Sequence, residues 1–189
     1  ARLLLEEPST MMVVGNGADL FAEKKNLTCD QKELIINREK KRWENGREDI
    51  FTPNKRGTVG AVAIDSKGNL ASATSTGGSP FKMVGRLGDT PIIGSGGYAN
   101  NVAAASSTGH GESFMKLNAA KMVVDLVDTG YTPQKAAERV IEKVGQISGY
   151  GGIIVIDKKG QIGLSFNTSR MAYAFVTSGG DLASGIESI

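Results

Sequence analysis

The succession of hydropathy periods after residue 57 constrains this chain more than any one of its motifs. β-Branched and small residues in TVGAVAID (58–65) predict a buried strand, SKGN (66–69) turns the chain, and LASATST (70–76) returns, so the segment opens with a hairpin. TPIIGSGGYA (90–99) and VAAASST (102–108) predict two more short strands. ESFMKLNAAKMVVDLVD (112–128) predicts one helix, with Phe114, Leu117, Val124 and Leu126 among its apolar positions. The next helix is announced by Thr132 as N-cap and Pro133 at the first helical position. Ala137, Val140, Ile141 and Val144 follow at core-facing spacing, and Gly149 ends it. GIIVID (152–157) and QIGLSF (161–166), joined by KKG, predict a second hairpin, and MAYAFVT (171–177) a last strand. Strands, two helices, then strands again is the order of an α+β fold, a layered sandwich in which helices cover a largely antiparallel sheet.

Residues 1–43 read differently. GADLFAEK (17–24) and QKELIINREKKRW (31–43) carry good helix formers with apolar residues at roughly helical spacing. Between them and the first strand, ENGREDIFTPNKRG (44–57) mixes Asn, Gly, Pro and both signs of charge without periodicity, the composition of an exposed, mobile linker. The chain thus divides into a helical region (1–43), a linker (44–57) and a strand-rich region (58–189).

Composition narrows the function classes. With 40% apolar and 22% charged residues the chain can bury a core, and its net charge of +2 is spread along the sequence. The basic run Arg38, Lys40, Lys41 and Arg42 is interrupted by Glu39 and followed by Glu44, and aromatics are only 6%, so it reads as a solvated helix face and not a nucleic-acid surface. ARLLLEEPST is too short an apolar run for a signal peptide or membrane span. One cysteine, Cys29, makes no internal disulfide, which favours a reducing, cytoplasmic setting. A single histidine, His110, cannot build a metal site alone, and no metal is expected.

The chemistry concentrates at Gly57-Thr58, where the polar linker ends on a hydroxyl residue that opens a strand. A mid-chain threonine is a poor nucleophile because its hydroxyl needs an adjacent base. Cleavage before Thr58 would supply one, an α-amino group with a pKa of roughly 7.7 to 8. Gly57, without a Cβ, can adopt the strained backbone through which the Thr58 hydroxyl attacks the preceding carbonyl. Downstream, GRLGD (85–89) sets Arg86 three residues from Asp89: a planar guanidinium fork for a carboxylate beside a carboxylate for an ammonium.

GTVGAVAIDSKGNLASATSTGG (57–78), KMVGRLGDTPIIGSGGYANN (82–101) and STGHGE (107–112) together resemble the plant-type L-asparaginase and isoaspartyl peptidase family, over about residues 1–166 and in the family's motif order. The resemblance implies that Thr58 is the nucleophile and Gly57-Thr58 the autocleavage site. It implies that Thr76 orients and assists Thr58, that Arg86 and Asp89 grip the α-carboxylate and α-amino group of the substrate, and that Thr108 and Gly109 bind substrate and the oxyanion. Glycine before the nucleophile is the habit of the asparaginase and isoaspartyl peptidase branch, whereas glycosylasparaginases and taspases usually carry Asp there. The implied substrates are L-asparagine and β-aspartyl dipeptides, hydrolysed to release L-aspartate without a cofactor for the chemistry.

The resemblance also implies a four-layer αββα N-terminal-nucleophile sandwich, here incomplete at its N-terminus. In the family the upstream part, with a Gly-rich HGGAG-like strand, contributes sheet strands, an oxyanion-hole asparagine and a structural sodium site. The regions 1–43 and 58–189 then correspond to the end of the α-subunit and to the β-subunit. The implied partners are a second copy, as a homodimer of αβ units, or a separate chain carrying the upstream segment; neither nucleic acid nor membrane is expected. The alternative is an inactive, truncated fragment of the fold with a structural or assembly role, whose exposed edges promote oligomerisation.

Overall fold

The computed structural model describes residues 1–46 and 57–186; most of the linker expected at 44–57, residues 47–56, lies outside them. The chain separates into two compact units, 1–46 and 47–189.

The first unit is a 3-10 turn, Leu4–Glu6, followed by α1 (Asn16–Lys24), α2 (Gln31–Leu34) and α3 (Asn37–Glu44). The helix expected across 31–43 is two helices, because Ile35 and Ile36 are extended. Asp30 caps α2 by accepting from the Lys32 amide at 2.9 Å, the usual service of an N-cap carboxylate. Lys25 pairs with Glu7 at 3.1 Å and lies over the Phe21 ring. No residue described in this unit is buried, and Leu5, Met11, Leu20, Leu34 and Trp43 are all exposed.

The second unit contains β1 (Thr58–Ile64), β2 (Leu70–Thr76), β3 (Gly97–Ala99), β4 (Ala103–Gly109), α4 (Gly111–Leu117), α5 (Ala119–Asp128), α6 (Pro133–Gln146), β5 (Gly151–Asp157), β6 (Ile162–Phe166), β7 (Tyr173–Val176) and β8 (Leu182–Gly185). It is a mixed α/β body whose ladders are all antiparallel: a sheet in the order β3-β4-β5-β6, and the hairpins β1-β2 and β7-β8.

The alternation of β4 and β5 assigns the faces of the central sheet. Ala103 and Ala105 on β4, with Ile153 and Val155 on β5, join Val123, Val124, Val140, Ile141, Val144 and Phe114 in one buried cluster beneath α5 and α6. The opposite face meets β1-β2: Ser72 Oγ donates to the Ala105 carbonyl at 2.7 Å, and the Thr74 and Ser106 hydroxyls lie 2.6 Å apart. Gly60 packs so closely on Ser106 that a Cβ there would fall 2.3 Å from its Oγ. Helices, sheet and hairpin therefore form three layers, with Ser72, Thr74, Ser106 and Gly60 among the contacts between the two β layers.

Helix α6 follows its local code: the Thr132 hydroxyl accepts from the Lys135 amide at 3.3 Å, and Pro133 occupies the first turn. Its Gln134 amide also satisfies the edge of β6, donating to the Leu164 carbonyl and accepting the Leu164 N–H, both at 3.0 Å. The single helix expected over 112–128 is broken. Asn118 adopts left-handed φ of 48° between α4 and α5, held by the Ser95 hydroxyl at 3.0 Å. The strand expected over 90–99 shrinks to β3, because 90–96 turn back on themselves around Gly94 with φ of 92°. The last strand is shorter than 171–177 and is paired with a strand, β8, that the reading of the sequence lacked.

Candidate active site

The site begins with a turn at the far end of the first hairpin. Asp65 Oδ1 accepts the Lys67 and Asn69 amides, both at 2.8 Å, its Oδ2 accepts the Asn69 side-chain amide at 2.7 Å, and Gly68 supplies φ of 82°. That turn sets the register, and the register places Thr58 opposite Thr76 at the open end. There one hydroxyl gathers three groups. Thr58 Oγ1 donates to Thr76 Oγ1 at 3.3 Å, Thr76 Oγ1 donates to the Gly57 carbonyl at 3.2 Å, and the Gly78 amide donates to Thr76 Oγ1 at 3.0 Å. The hydroxyl of Thr58 and the carbonyl that precedes it thus share a partner.

The loop between β2 and β3 supplies the charged wall. The Arg86 Nε and Nη2 atoms both donate to Glu112 Oε1, at 3.0 and 2.8 Å. Glu112 lies in the first turn of α4, and the reading of the sequence gave it no role. Its Oε2 lies 3.4 Å from His110 Nε2. Asp89 is 6% exposed and receives the Ser107 hydroxyl at 3.4 Å, while the same hydroxyl donates to the Ser95 carbonyl at 2.7 Å. Two glycines let the pair approach the backbone. A Cβ on Gly111 would meet Asp89 Oδ1 at 2.9 Å and Arg86 Nη2 at 3.1 Å, and one on Gly88 would meet Arg86 Nη1 at 2.9 Å.

Electrostatics divide the two carboxylates. Burial pushes the Asp89 carboxyl above its ordinary value, against the pull of its own backbone amide, the Ser107 hydroxyl and the Arg86 charge. Burial would raise Glu112 too, but the Arg86 hydrogen bond, its own backbone amide, and the charges of Arg86 and His110 outweigh it and hold the carboxyl below its usual range. Asp89 is therefore a carboxylate that gains from a cation, whereas Glu112 already has one.

Thr58, Thr76, Arg86, Asp89 and Gly109 line one cavity of about 240 Å³, together with Lys82 and the glycines at 78, 88 and 111. This is below the roughly 300–1,000 Å³ of drug-sized sites, a scale suited to an amino-acid derivative. Thr108 is not on that wall; it lines a neighbouring cavity of about 420 Å³ that Thr58 also borders, with Ser106, Gly152 and Tyr173. Gly109 carries φ of 140° opposite Gly151, and a Cβ on it would fall 2.2 Å from the Tyr150 carbonyl, so the chain bends into the site only without a side chain. His110 borders neither cavity: its ring stacks on Tyr150 at 5.6 Å, and its Nδ1 lies 2.9 Å from the Ser113 hydroxyl. Among the described residues no cluster of three His, Cys, Asp or Glu is arranged to hold a metal ion, and no helix is long and apolar enough to cross a membrane.

The chain has relatives among known proteins. The family model described as Asparaginase matches residues 1–186. The chain is 42% identical over 93% of its length to the isoaspartyl peptidase/L-asparaginase of Xenopus laevis, covering 59% of that protein, and 41% identical over 99% of its length to the one of Mus musculus, covering 60%. The isoaspartyl peptidase of Escherichia coli K12 is 38% identical over 98% of the chain, which covers 63% of it. The chain spans about three-fifths of the length of these curated relatives.

Proposed function

The chain belongs to the Asparaginase family, and from that membership and the cavity geometry we propose that it is an autoproteolytic hydrolase with Thr58 as nucleophile, acting on L-asparagine and β-aspartyl dipeptides. The observation that carries the reading is the meeting of the Thr58 hydroxyl and the Gly57 carbonyl on Thr76, at the edge of a cavity lined by Arg86 and Asp89.

In the first step the Thr58 oxygen attacks the Gly57 carbonyl carbon while the Thr76 hydroxyl, already donating to that carbonyl oxygen, stabilises the developing charge. The peptide C–N bond breaks, the Thr58 nitrogen takes the proton, and an ester remains. Water hydrolyses it to a Gly57 carboxylate and a free Thr58 amine. That amine, with an unperturbed pKa of roughly 7.7 to 8, is the base for the second reaction. Arg86 receives the substrate's α-carboxylate and Asp89 its α-ammonium, so the β-carbonyl faces Thr58. The hydroxyl attacks, its proton passes through the amine to the leaving nitrogen, and a β-aspartyl ester forms; water then releases L-aspartate. Oxyanion donors at Thr108 and Gly109 would be worth roughly 2.7 to 4 kcal/mol. No cofactor enters these steps.

The three layers seen in the second unit fit a four-layer αββα sandwich in the full assembly. The family's sodium site and oxyanion-hole asparagine then belong to the upstream segment, and pairing of αβ units gives the homodimer.

Intact-mass spectrometry with N-terminal sequencing, beside an ammonia-release assay on L-asparagine, tests the reading. The expected result is a new N-terminus at Thr58 and activity that Thr58→Ala abolishes together with the cleavage. Asparagine hydrolysis that survives Thr58→Ala sinks the proposal.

A further inference from the structure

Lys82 stands apart in the cavity wall. Arg86 is engaged twice by Glu112, whereas Lys82 Nζ makes one hydrogen bond, 3.1 Å to the neutral Gly77 carbonyl, and has no carboxylate within ion-pair distance among the described residues. An ammonium has three donors. Lys82 is held against the strand end that carries Thr76: a Cβ on Gly78 would lie 2.2 Å from Nζ, and the Gly78 amide is the one that donates to Thr76 Oγ1. Arg86 and Asp89 lie instead against Gly88 and Gly111. The cavity therefore has two cationic stations on different walls, one next to the proposed clamp and one next to the threonine pair.

The two proposed substrates differ where this matters. Asparagine leaves as ammonia, while a β-aspartyl dipeptide leaves as an amino acid with its own α-carboxylate. With the aspartyl end on Arg86 and Asp89 and the scissile carbonyl at Thr58, a leaving group directed to the Thr76 side would meet Lys82, which has no carboxylate partner among the described residues. Building on the function proposed above, we propose that Lys82 binds the leaving group's carboxylate and selects free-carboxylate β-aspartyl dipeptides over L-asparagine. The site takes an anion by charge-assisted hydrogen bonding in a half-open cavity, worth about tenfold in affinity.

The test uses the full-length protein expressed from its own gene, with L-asparagine, β-aspartyl-leucine and β-aspartyl-leucine amide as substrates. The unsubstituted enzyme should bind the free dipeptide about tenfold more tightly, by KM, than its amide. In Lys82→Met, the ratio of kcat/KM for the free dipeptide to that for asparagine should fall about tenfold, and Lys82→Arg should restore most of it. An unsubstituted enzyme indifferent to amidation, or a ratio that Lys82→Met leaves unchanged, overturns the assignment of Lys82 while leaving Thr58 in place. An enzyme that hydrolyses none of the three overturns the function itself and Lys82 with it.

Discussion

Replacing Glu112 with Gln isolates what the Arg86 partner does for the site. Glu112 Oε1 accepts both Nε and Nη2 of Arg86, at 3.0 and 2.8 Å, which fixes the plane of the guanidinium and leaves Nη1 turned toward Gly88. A hydrogen bond to a charged group is worth about 1.5–3 kcal/mol when buried. Here the Glu112 side chain is 43% exposed and that of Arg86 21%, so solvent screening reduces the figure to about 1 kcal/mol. One kilocalorie spent on orienting the clamp translates to a roughly fivefold rise in KM for L-asparagine. The value of kcat should stay within about twofold, because Glu112 bonds to neither Thr58 nor Thr76. Cleavage before Thr58 should proceed as in the parent, since none of its participants is touched.

The same contact has a pH signature. The Glu112 carboxyl is held below its ordinary value in the fold, so its contribution is present above the unfolded value, roughly 4.3, and fades as pH falls through the lower folded one. The Arg86–Glu112 pair should therefore persist from neutrality down through the usual carboxylate range, so that a rise in KM on acidification belongs to Asp89, whose carboxyl burial pushes up. Steady-state ammonia release, a gel of the two chain pieces and a KM-pH profile are the measurements. A fall in kcat with KM unchanged, or a precursor that no longer cuts itself, refutes the positioning argument.

Thr76→Val removes the hydroxyl shared by the Thr58 oxygen and the Gly57 carbonyl, and should slow self-cleavage by about 100-fold, read as accumulation of uncut chain over time. Asp89→Asn should lower kcat/KM for L-asparagine by about 10- to 100-fold through lost ammonium binding. It should at the same time raise the thermal midpoint at pH 7, because burial raises the Asp89 pKa and the ionised form opposes folding. With a folded value above the unfolded one, that penalty is absent below the unfolded pKa, grows as pH rises from the unfolded to the folded pKa, and is constant above it. The stabilisation should accordingly vanish in acid, as differential scanning calorimetry would record.

What the sequence disclosed follows from the distance over which each feature is decided. The β1-β2 hairpin was legible because Asp65, Gly68 and Asn69 close a turn within five residues, and the Thr58–Thr76 pairing follows from that turn by register alone. Helix α6 was legible for the same reason, its cap and its first turn being neighbours in the chain. The break at Asn118 was not, since the left-handed residue is held by Ser95, 23 positions away, and a strong helical period runs straight through it. The strand expected at 90–99 survives only as β3 because Ile92 and Ile93 gave a β-like pattern to a turn that the Gly94 backbone closes. Glu112 was hidden by the same rule, lying 26 positions from Arg86 in a motif whose glycines drew the attention. GRLGD places Arg86 and Asp89 together, yet each is secured from another element: Arg86 by α4 through Glu112, Asp89 by β4 through Ser107. The residues that one short motif contributes to the cavity are thus held in shape by residues of another, which is why substitutions at Glu112 and Ser107 should be felt at the cavity although neither lines it.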